Sequence, residues 1–340
     1  MEILITGVGG FIGSALAKKF INKGFNVVGI DNLNSYYDVN LKLDRLKDIE
    51  SSTSTTNKNW EFIKCDLINR KEISLIFKKF KPKVVINLAA QAGVRFSIKN
   101  PHSYIQSNIL GFSNVLDSCL EIGVENFIYA SSSSVYGGNT KLPFKEEQSV
   151  DHPLSLYAAT KKANELIAHS YSHIYKIPSI GLRFFTVYGP WGRPDMAPMI
   201  FTKSILKKEP IKIYNYGKMK RDFTYIDDIV EGIFLCSFKP ATSNKNFDSL
   251  SPDPSTSFAP YRLFNIGNTK SINLLDFVEM LEKELNIKAI KNLEEIQPGD
   301  VVDTNSDTQK LEEWIDYAPS TSLEKGVKRF IDWYLNYYKN

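Results

Sequence analysis

Ile3-Leu4-Ile5-Thr6-Gly7-Val8-Gly9-Gly10-Phe11-Ile12-Gly13 carries a short apolar run straight into a glycine turn, and a helix-like stretch to Lys23 follows. Gly7, Gly10 and Gly13 stand in the spacing G-x-x-G-x-x-G. Such glycines permit a tight turn, let backbone approach a pyrophosphate, and let the helix pack close to the strand. The helix N-terminus then offers free N–H groups and a positive dipole end to phosphates. A close-packed strand–helix junction also needs glycines, so the surroundings decide. The next apolar run, Val27–Ile30, ends in Asp31-Asn32. An acid about 20 residues past such a loop accepts the adenosine ribose hydroxyls. A carboxylate there repels a 2′-phosphate, so the pattern favours NAD over NADP.

Working outward, Val84–Leu88 and Phe127–Ala130 are further apolar runs of strand length, separated by helical patterns such as Lys71–Phe80. Continuous rather than alternating apolar runs suit strands covered on both faces. Their alternation with helices predicts an α/β fold, a Rossmann-like doubly wound parallel sheet. After about Gly189 short apolar segments mix with Gly, Pro and basic residues. The expected division is a dinucleotide-binding domain over residues 1–188, with returning segments near 222–237 and 262–270. A smaller mixed α/β C-terminal substrate domain spans 189–340. Leu323–Tyr338 reads as an amphipathic, aromatic-rich helix. Two polar stretches, Ser51–Asn59 and Pro240–Pro260, read as exposed loops.

Tyr157 and Lys161 share one helix face at i, i+4 spacing. The helix is expected from near Pro153 to about Tyr175. A nearby cation favours phenolate over phenol, and a phenolate can take a proton from a hydroxyl. Tyr-x-x-x-Lys also arises on ordinary helix surfaces. Here it follows Phe127–Ala130 and then Ser131-Ser132-Ser133-Ser134-Val135-Tyr136-Gly137. Hydroxyls at the carboxyl end of a strand project into the crevice where α/β proteins hold ligands. Asp66, after a third short strand, either meets the adenine amino group or caps the helix starting near Arg70.

Taken together, Gly7/Gly10/Gly13, Asn87-Leu88-Ala89-Ala90, Asn108, the serine run and Tyr157/Lys161 resemble the extended short-chain dehydrogenase/reductase family over nearly the whole chain. More narrowly, Asp31–Asp38, Ala90-Gln91-Ala92-Gly93-Val94-Arg95 and Arg183–Met196 are similar to the UDP-glucuronate 4-epimerases. The resemblance implies NAD as cofactor. Gly7, Gly10, Phe11, Ile12, Gly13, Asp31, Asn32, Asp66, Leu67, Leu88, Ala89, Ala90, Asn108, Tyr157 and Lys161 would surround it. Tyr157 would be the base and Lys161 its activator. Ser132 occupies the catalytic hydroxyl position, with Ser134 facing the same site. Arg95, Ser134, Thr186, Arg193 and Arg221 would meet a UDP-sugar. The family often carries an arginine before its C-terminal Gly-Asp; here the string is Gln297-Pro298-Gly299-Asp300, which leaves the diphosphate to Arg221. A homodimer is the family expectation.

Members of this family share oxidation of the sugar at C4 and differ afterwards. Dehydratases have Asp-Glu after the catalytic hydroxyl, and decarboxylases often have Glu where this chain has Ser134. With Ser133 and Ser134 supplying no further acid, epimerisation is expected. A 4-keto uronate is a β-keto acid, so its carboxylate must be held out of line with the ketone, and an arginine fork can do that. Arg193 is the expected clamp and Arg95 a second candidate. A 4-epimerase of a neutral UDP-hexose, a UDP-glucuronate decarboxylase and a non-catalytic NAD-binding regulator are the alternatives; the last predicts a damaged Tyr/Lys pair.

The 340 residues carry 42 basic and 38 acidic side chains, a net charge of +4. That balance is too even for a nucleic-acid binder, which concentrates its basic residues on one face. No apolar run reaches membrane-spanning length. The chain enters its first strand without a signal-like segment, so the cytoplasm is expected. Cys65, Cys119 and Cys236 have no metal-ligand spacing and are expected to be buried thiols. His169 and His173, at i, i+4, have no acidic or cysteine partner nearby in sequence, so a solvated helix face is expected rather than a metal site.

Overall fold

The computed structural model describes residues 2–56 and 59–338. The chain runs through β1 (Glu2–Thr6), α1 (Phe11–Asn22), β2 (Asn26–Asp31), α2 (Val39–Thr56), β3 (Trp60–Lys64), α3 (Arg70–Phe80) and β4 (Val84–Asn87). It continues through α4 (Val94–Lys99), α5 (Pro101–Tyr104), a π-helical turn at Ile105–Leu110, α6 (Gly111–Ile122) and β5 (Asn126–Ser132). A short 3-10 turn, Ser133–Tyr136, precedes α7 (Leu156–Tyr175), β6 (Ser179–Phe184) and β7 (Thr186–Tyr188). Next come α8 (Ala197–Lys207), β8 (Ile211–Ile213), β9 (Lys220–Tyr225), α9 (Ile226–Cys236) and β10 (Tyr261–Ile266). The last elements are β11 (Ser271–Asn273), α10 (Leu274–Leu285), β12 (Lys291–Leu293), α11 (Gln309–Ile315) and α12 (Leu323–Tyr338).

Seven strands form one sheet in the order β10-β6-β5-β4-β1-β2-β3. All its pairings are parallel. Ile5 lies between Gly29 and Ile86 in register. Strand order reverses between β1 and β4, so a crevice opens at their carboxyl ends. The apolar runs are continuous because helices cover both faces. Phe20 of α1, Leu46 of α2 and Ile229 of α9 pack on one side. Phe77 of α3, Val115 of α6 and Ala168 of α7 pack on the other. The first of these cores extends without a break to Phe277 of α10 and Phe330 of α12. Two small sheets, β11-β9-β7 and β12-β8, complete the structure beyond β6. No helix among the described residues is long and apolar enough to cross a membrane. Cys65, Cys119 and Cys236 are unpaired and buried.

Several local expectations need correction. Of the stretch Ser51–Asn59, Ser51 to Thr56 is not a loop but the end of α2, and Asn57 and Lys58 lie outside the described residues. Ser51 and Ser52 donate to the Asp48 carbonyl and Thr53 to that of Glu50. Hydroxyls that favour turns here bond back onto their own helix instead. Helix α7 starts at Leu156 rather than near Pro153, because the Ser155 hydroxyl accepts the Ala158 N–H and caps it. The stretch 240–260 is not simply exposed. Ala241, Ser255, Ser257 and Ala259 are buried. His169 Nε2 stands 2.8 Å from Ser257 Oγ, and both His169 and His173 meet the Phe258 ring edge-on. That histidine face holds a loop.

Helix α7 is joined to the sheet by a buried ion pair. Arg183 of β6 donates from Nε and Nη2 to the two Glu165 oxygens at 2.8 and 2.9 Å. Burial works against the guanidinium's charge, but Glu165 outweighs it and holds Arg183 more firmly protonated than usual. Removing one partner of such a pair costs about 3–5 kcal/mol by leaving a lone buried charge. Glu165→Gln should therefore lower the urea unfolding midpoint by a corresponding amount. An unchanged midpoint would show that the pair does not support the fold.

Candidate active site

The crevice between β1 and β4 is a cleft of about 370 Å³, within the range of small-molecule sites. At its floor, Gly7 has φ +79° and donates its N–H to Ile30 O at 2.7 Å. A Cβ on Gly13 would sit 2.1 Å from Gly7 O, and one on Gly10 would sit 2.9 Å from it. Any side chain at Gly13 would push α1 off the strand. Gly10, Phe11, Ile12 and Gly13 line the cleft, and no side chain caps the first turn of α1. Its N–H groups are left for an anion.

Asp31 also lines the cleft. Its two oxygens accept N–H bonds from Gly9 (3.0 Å) and Leu33 (2.8 Å), which fix the carboxylate's direction. Beyond it, Asn32 Nδ2 donates to Asp66 Oδ2 at 2.8 Å, beside Leu67. Helix α3 is capped by Asn69, whose oxygen accepts the Glu72 N–H. Asp66 is therefore not the cap, and it faces the cleft. Glycine floor, uncapped helix end and cleft-lining carboxylate together fit a dinucleotide.

Leu88, Ala89 and Ala90 form the opposite wall. Gly7 lets this wall approach, since a Cβ there would stand 2.8 Å from Ala89 N. Asn108 does not line the cleft as expected; Ser107 does. The Asn108 side chain is buried in the π-helical turn. It accepts the Gln91 N–H at 2.8 Å and donates to Gln91 O (3.1 Å) and Thr160 Oγ1 (3.0 Å). It thus binds the wall to α7 from behind.

Tyr157, Lys161, Ser132 and Ser134 all face the cleft. Ser131 lines its edge, but its hydroxyl donates to buried Glu165 at 2.6 Å. Ser132 Oγ accepts the Ser134 N–H at 3.2 Å and hydrogen-bonds the Tyr157 phenol. Lys161 is the expected activator of the phenol; the groups seen to act on it are Ser132 and Arg193. Burial raises the Tyr157 pKa, and the Ser132 hydrogen bond and the Arg193 charge pull it back down. Lys161 Nζ donates to Ala130 O at 2.8 Å, and burial pushes its ammonium down to about 8.

Thr186 and Arg193 line the same cleft. Arg193 is held by Asp195 in a fork, Nε to Oδ1 at 3.1 Å and Nη2 to Oδ2 at 2.5 Å. Tyr36 donates its hydroxyl to the same Asp195 at 3.0 Å. Arg95 and Arg221 lie outside the cleft lining. Arg95 pairs with Asp300 at 2.7 Å and stacks on Tyr214. Arg221 donates to the carbonyls of Lys220 and Val302. Both stand by the 300-loop, which is too far along the chain for sequence spacing to place. Sequence reasoning missed Tyr36, Lys42, Asp195 and the buried Arg45 behind the site. Lys42 and Arg45 sit among Leu41, Leu46 and Ile49 on the inner face of α2. Basic residues inside an apolar stripe were the available signal.

A dinucleotide-shaped cleft with a Tyr/Lys/Ser centre defines an NAD-dependent sugar-nucleotide enzyme. Residues 3–248 match the NAD dependent epimerase/dehydratase family, and the chain belongs to that family. Among its relatives, Protein CapI of Staphylococcus aureus is 54% identical over 100% of both chains. A probable UDP-glucuronate 4-epimerase of Rhizobium meliloti is 43% identical, covering 100% of this chain and 98% of the relative. The UDP-glucuronic acid 4-epimerase of Bacillus cereus, solved with UDP-glucuronic acid and NAD, superimposes with a TM-score of 0.86. Its identity is 33%, covering 99% of this chain and 100% of the other.

The depressed Lys161 pKa has a stability consequence. An unfolded lysine titrates near 10.4, above the folded value of about 8. Between those values the unfolded chain binds the extra proton, so stability rises with pH through the window. A tenfold difference in proton affinity corresponds to about 1.4 kcal/mol. Wild type should therefore gain about 2–3 kcal/mol of stability relative to Lys161→Met between pH 7 and pH 10, measured by urea unfolding. A pH-independent difference would show that Lys161 is not held in a charge-disfavouring site.

Proposed function

We propose that this protein interconverts UDP-glucuronate and UDP-galacturonate by NAD-dependent 4-epimerisation. The observation that carries this reading is that Arg193 and Tyr157 face one cleft within electrostatic reach of each other. NAD, bound along the glycine floor, supplies the acceptor and later the donor of hydrogen at C4. Tyr157 takes the proton of the C4 hydroxyl and returns it after the ketone has turned over. Ser132 hydrogen-bonds the same oxygen, and Lys161 provides a cation beneath it. Ser133 and Ser134 stand where dehydratases and decarboxylases place acids, so those two positions offer no acid at C5 or C6.

Arg193 has the chemistry to protect the β-keto acid. Asp195 engages the edge formed by Nε and Nη2. The second edge of a guanidinium, Nη1 with Nη2, is a further fork for a carboxylate. A uronate held there keeps its carboxyl carbon bond out of alignment with the ketone. The sugar-nucleotide is proposed to lie between residues 1–188, with 222–237 and 262–270, and the remaining C-terminal part. In this proposal Thr186 borders the sugar and Arg221 carries the diphosphate.

Loss of charged hydrogen bonds of this kind costs about 2 kcal/mol. Arg193→Ala should therefore lower kcat/KM for UDP-glucuronate by about 30-fold and release UDP-pentose with carbon dioxide, followed by NMR. Clean conversion to UDP-galacturonate by that variant would remove the clamp. A homodimer belongs to the same proposal, supported by Leu120 of α6 and by Leu166 and Ile174 of α7, which are exposed on the helices beside the sheet. Light scattering should give twice the chain mass, and exchanging Leu166 and Ile174 for Glu should halve it. A monomeric wild type would count against this assembly.

A further inference from the structure

Arg45 of α2 is 1% exposed, yet it forms no ion pair among the described residues. Its Nη1 donates to Gly9 O at 2.8 Å and to the Tyr37 hydroxyl at 2.6 Å. Its Nη2 donates to Trp191 O at 2.6 Å and Gly192 O at 3.2 Å. Nε is buried without a partner. Burying a cation against neutral carbonyls and a tyrosine, with no carboxylate, is unfavourable compared with pairing it. Groups that break a local rule in this way mark arrangements kept for another reason.

The carbonyls belong to two separate loops. Gly9 lies in the glycine loop, and its N–H directs the Asp31 carboxylate. Trp191 and Gly192 form the turn that ends at Arg193. Trp191 has φ +65°, a conformation that a bulky side chain adopts only when its surroundings impose it. The surroundings do so from two sides. Arg45 holds the carbonyls, while the indole packs against Trp333 and Tyr337 of α12 at 5.3 and 5.0 Å between ring centres. Tyr337 in turn donates to Asp44 on α2 at 2.7 Å. Arg45 itself does not reach the cleft lining.

We propose that Arg45 is a positioning residue that ties the turn presenting Arg193 to the glycine loop. It thereby sets where a substrate carboxylate is recognised relative to the dinucleotide floor. This rests on the reading of Arg193 as the carboxylate clamp. A planar fork can hold two loops at once, and a lysine ammonium cannot reproduce that geometry.

Calorimetry with UDP-glucuronate and UDP-glucose, in a Tyr157→Phe background that prevents turnover, separates the possibilities. Arg45→Lys should weaken UDP-glucuronate by about ten-fold or more, as misplacement of a positioned group does, and leave UDP-glucose within about two-fold. With Tyr157 restored, the same substitution should release UDP-pentose. Equal weakening of both ligands would mean a general structural defect and overturn the proposal, as would no change in either. Arg193→Ala is run in parallel. If it keeps the preference for the uronate, the clamp reading fails; if it loses the preference while Arg45→Lys retains it, only the positioning role fails. Trp191→Gly covers the case in which Arg45→Lys does not fold. It relaxes the turn with Arg45 in place and should show the same uronate-selective loss. Unaltered binding of both sugars by that variant would overturn the proposal.

Discussion

The carbonyl oxygen of Gly7 lies where a Cβ on Gly13 would be, 2.1 Å away, and the geometry of the site follows from that approach. Only glycine lets α1 begin so close to the end of β1. The uncapped N–H groups of its first turn consequently open into the crevice at the strand-order reversal. The same turn brings Gly9 against Asp31, aiming the carboxylate along the cleft. The free N–H groups and the directed carboxylate are thus consequences of one backbone contact.

At the other end of the cleft the governing influence is desolvation. It raises the phenol of Tyr157 and lowers the ammonium of Lys161, working against the charged form of each. The opposing influences on the phenol come from Ser132 and Arg193. Arg193 therefore has two effects in the same space. It supports negative charge on the phenol oxygen, and in the proposed reading its second edge receives the substrate carboxylate. Asp195, in the segment before α8, holds that fork, and Tyr36, in the segment before α2, holds Asp195.

Behind the lining, buried polar groups determine where the lining stands. Asn108 fastens the Gln91 backbone to α7. The Glu165–Arg183 pair fastens α7 to β6 and fixes Ser131 next to Ser132. Arg45 fastens the glycine loop to the Trp191–Gly192 turn. Each side chain satisfies backbone or charge that would be costly to bury alone, and each joins segments distant in sequence.

Local pattern was enough for the parallel sheet, the glycine turn, Asp31 and the Tyr157/Lys161 face. Glycine spacing, apolar run length and the 3.6-residue period are properties of neighbouring residues, and burial in a packed core then enforces them. Where hydroxyls had a choice, as at Ser51–Thr53, local reading chose a turn and the helix prevailed. The placement of Asn108 behind the wall, of Arg95 and Arg221 by the 300-loop, and of Tyr36 against the Asp195 that holds Arg193 required the folded chain. Those contacts join residues up to 205 positions apart, as Arg95 and Asp300 are. A side chain's sequence neighbours carry no information about such partners. Only the packing of loops from both halves of the molecule over one core decides which of them meet.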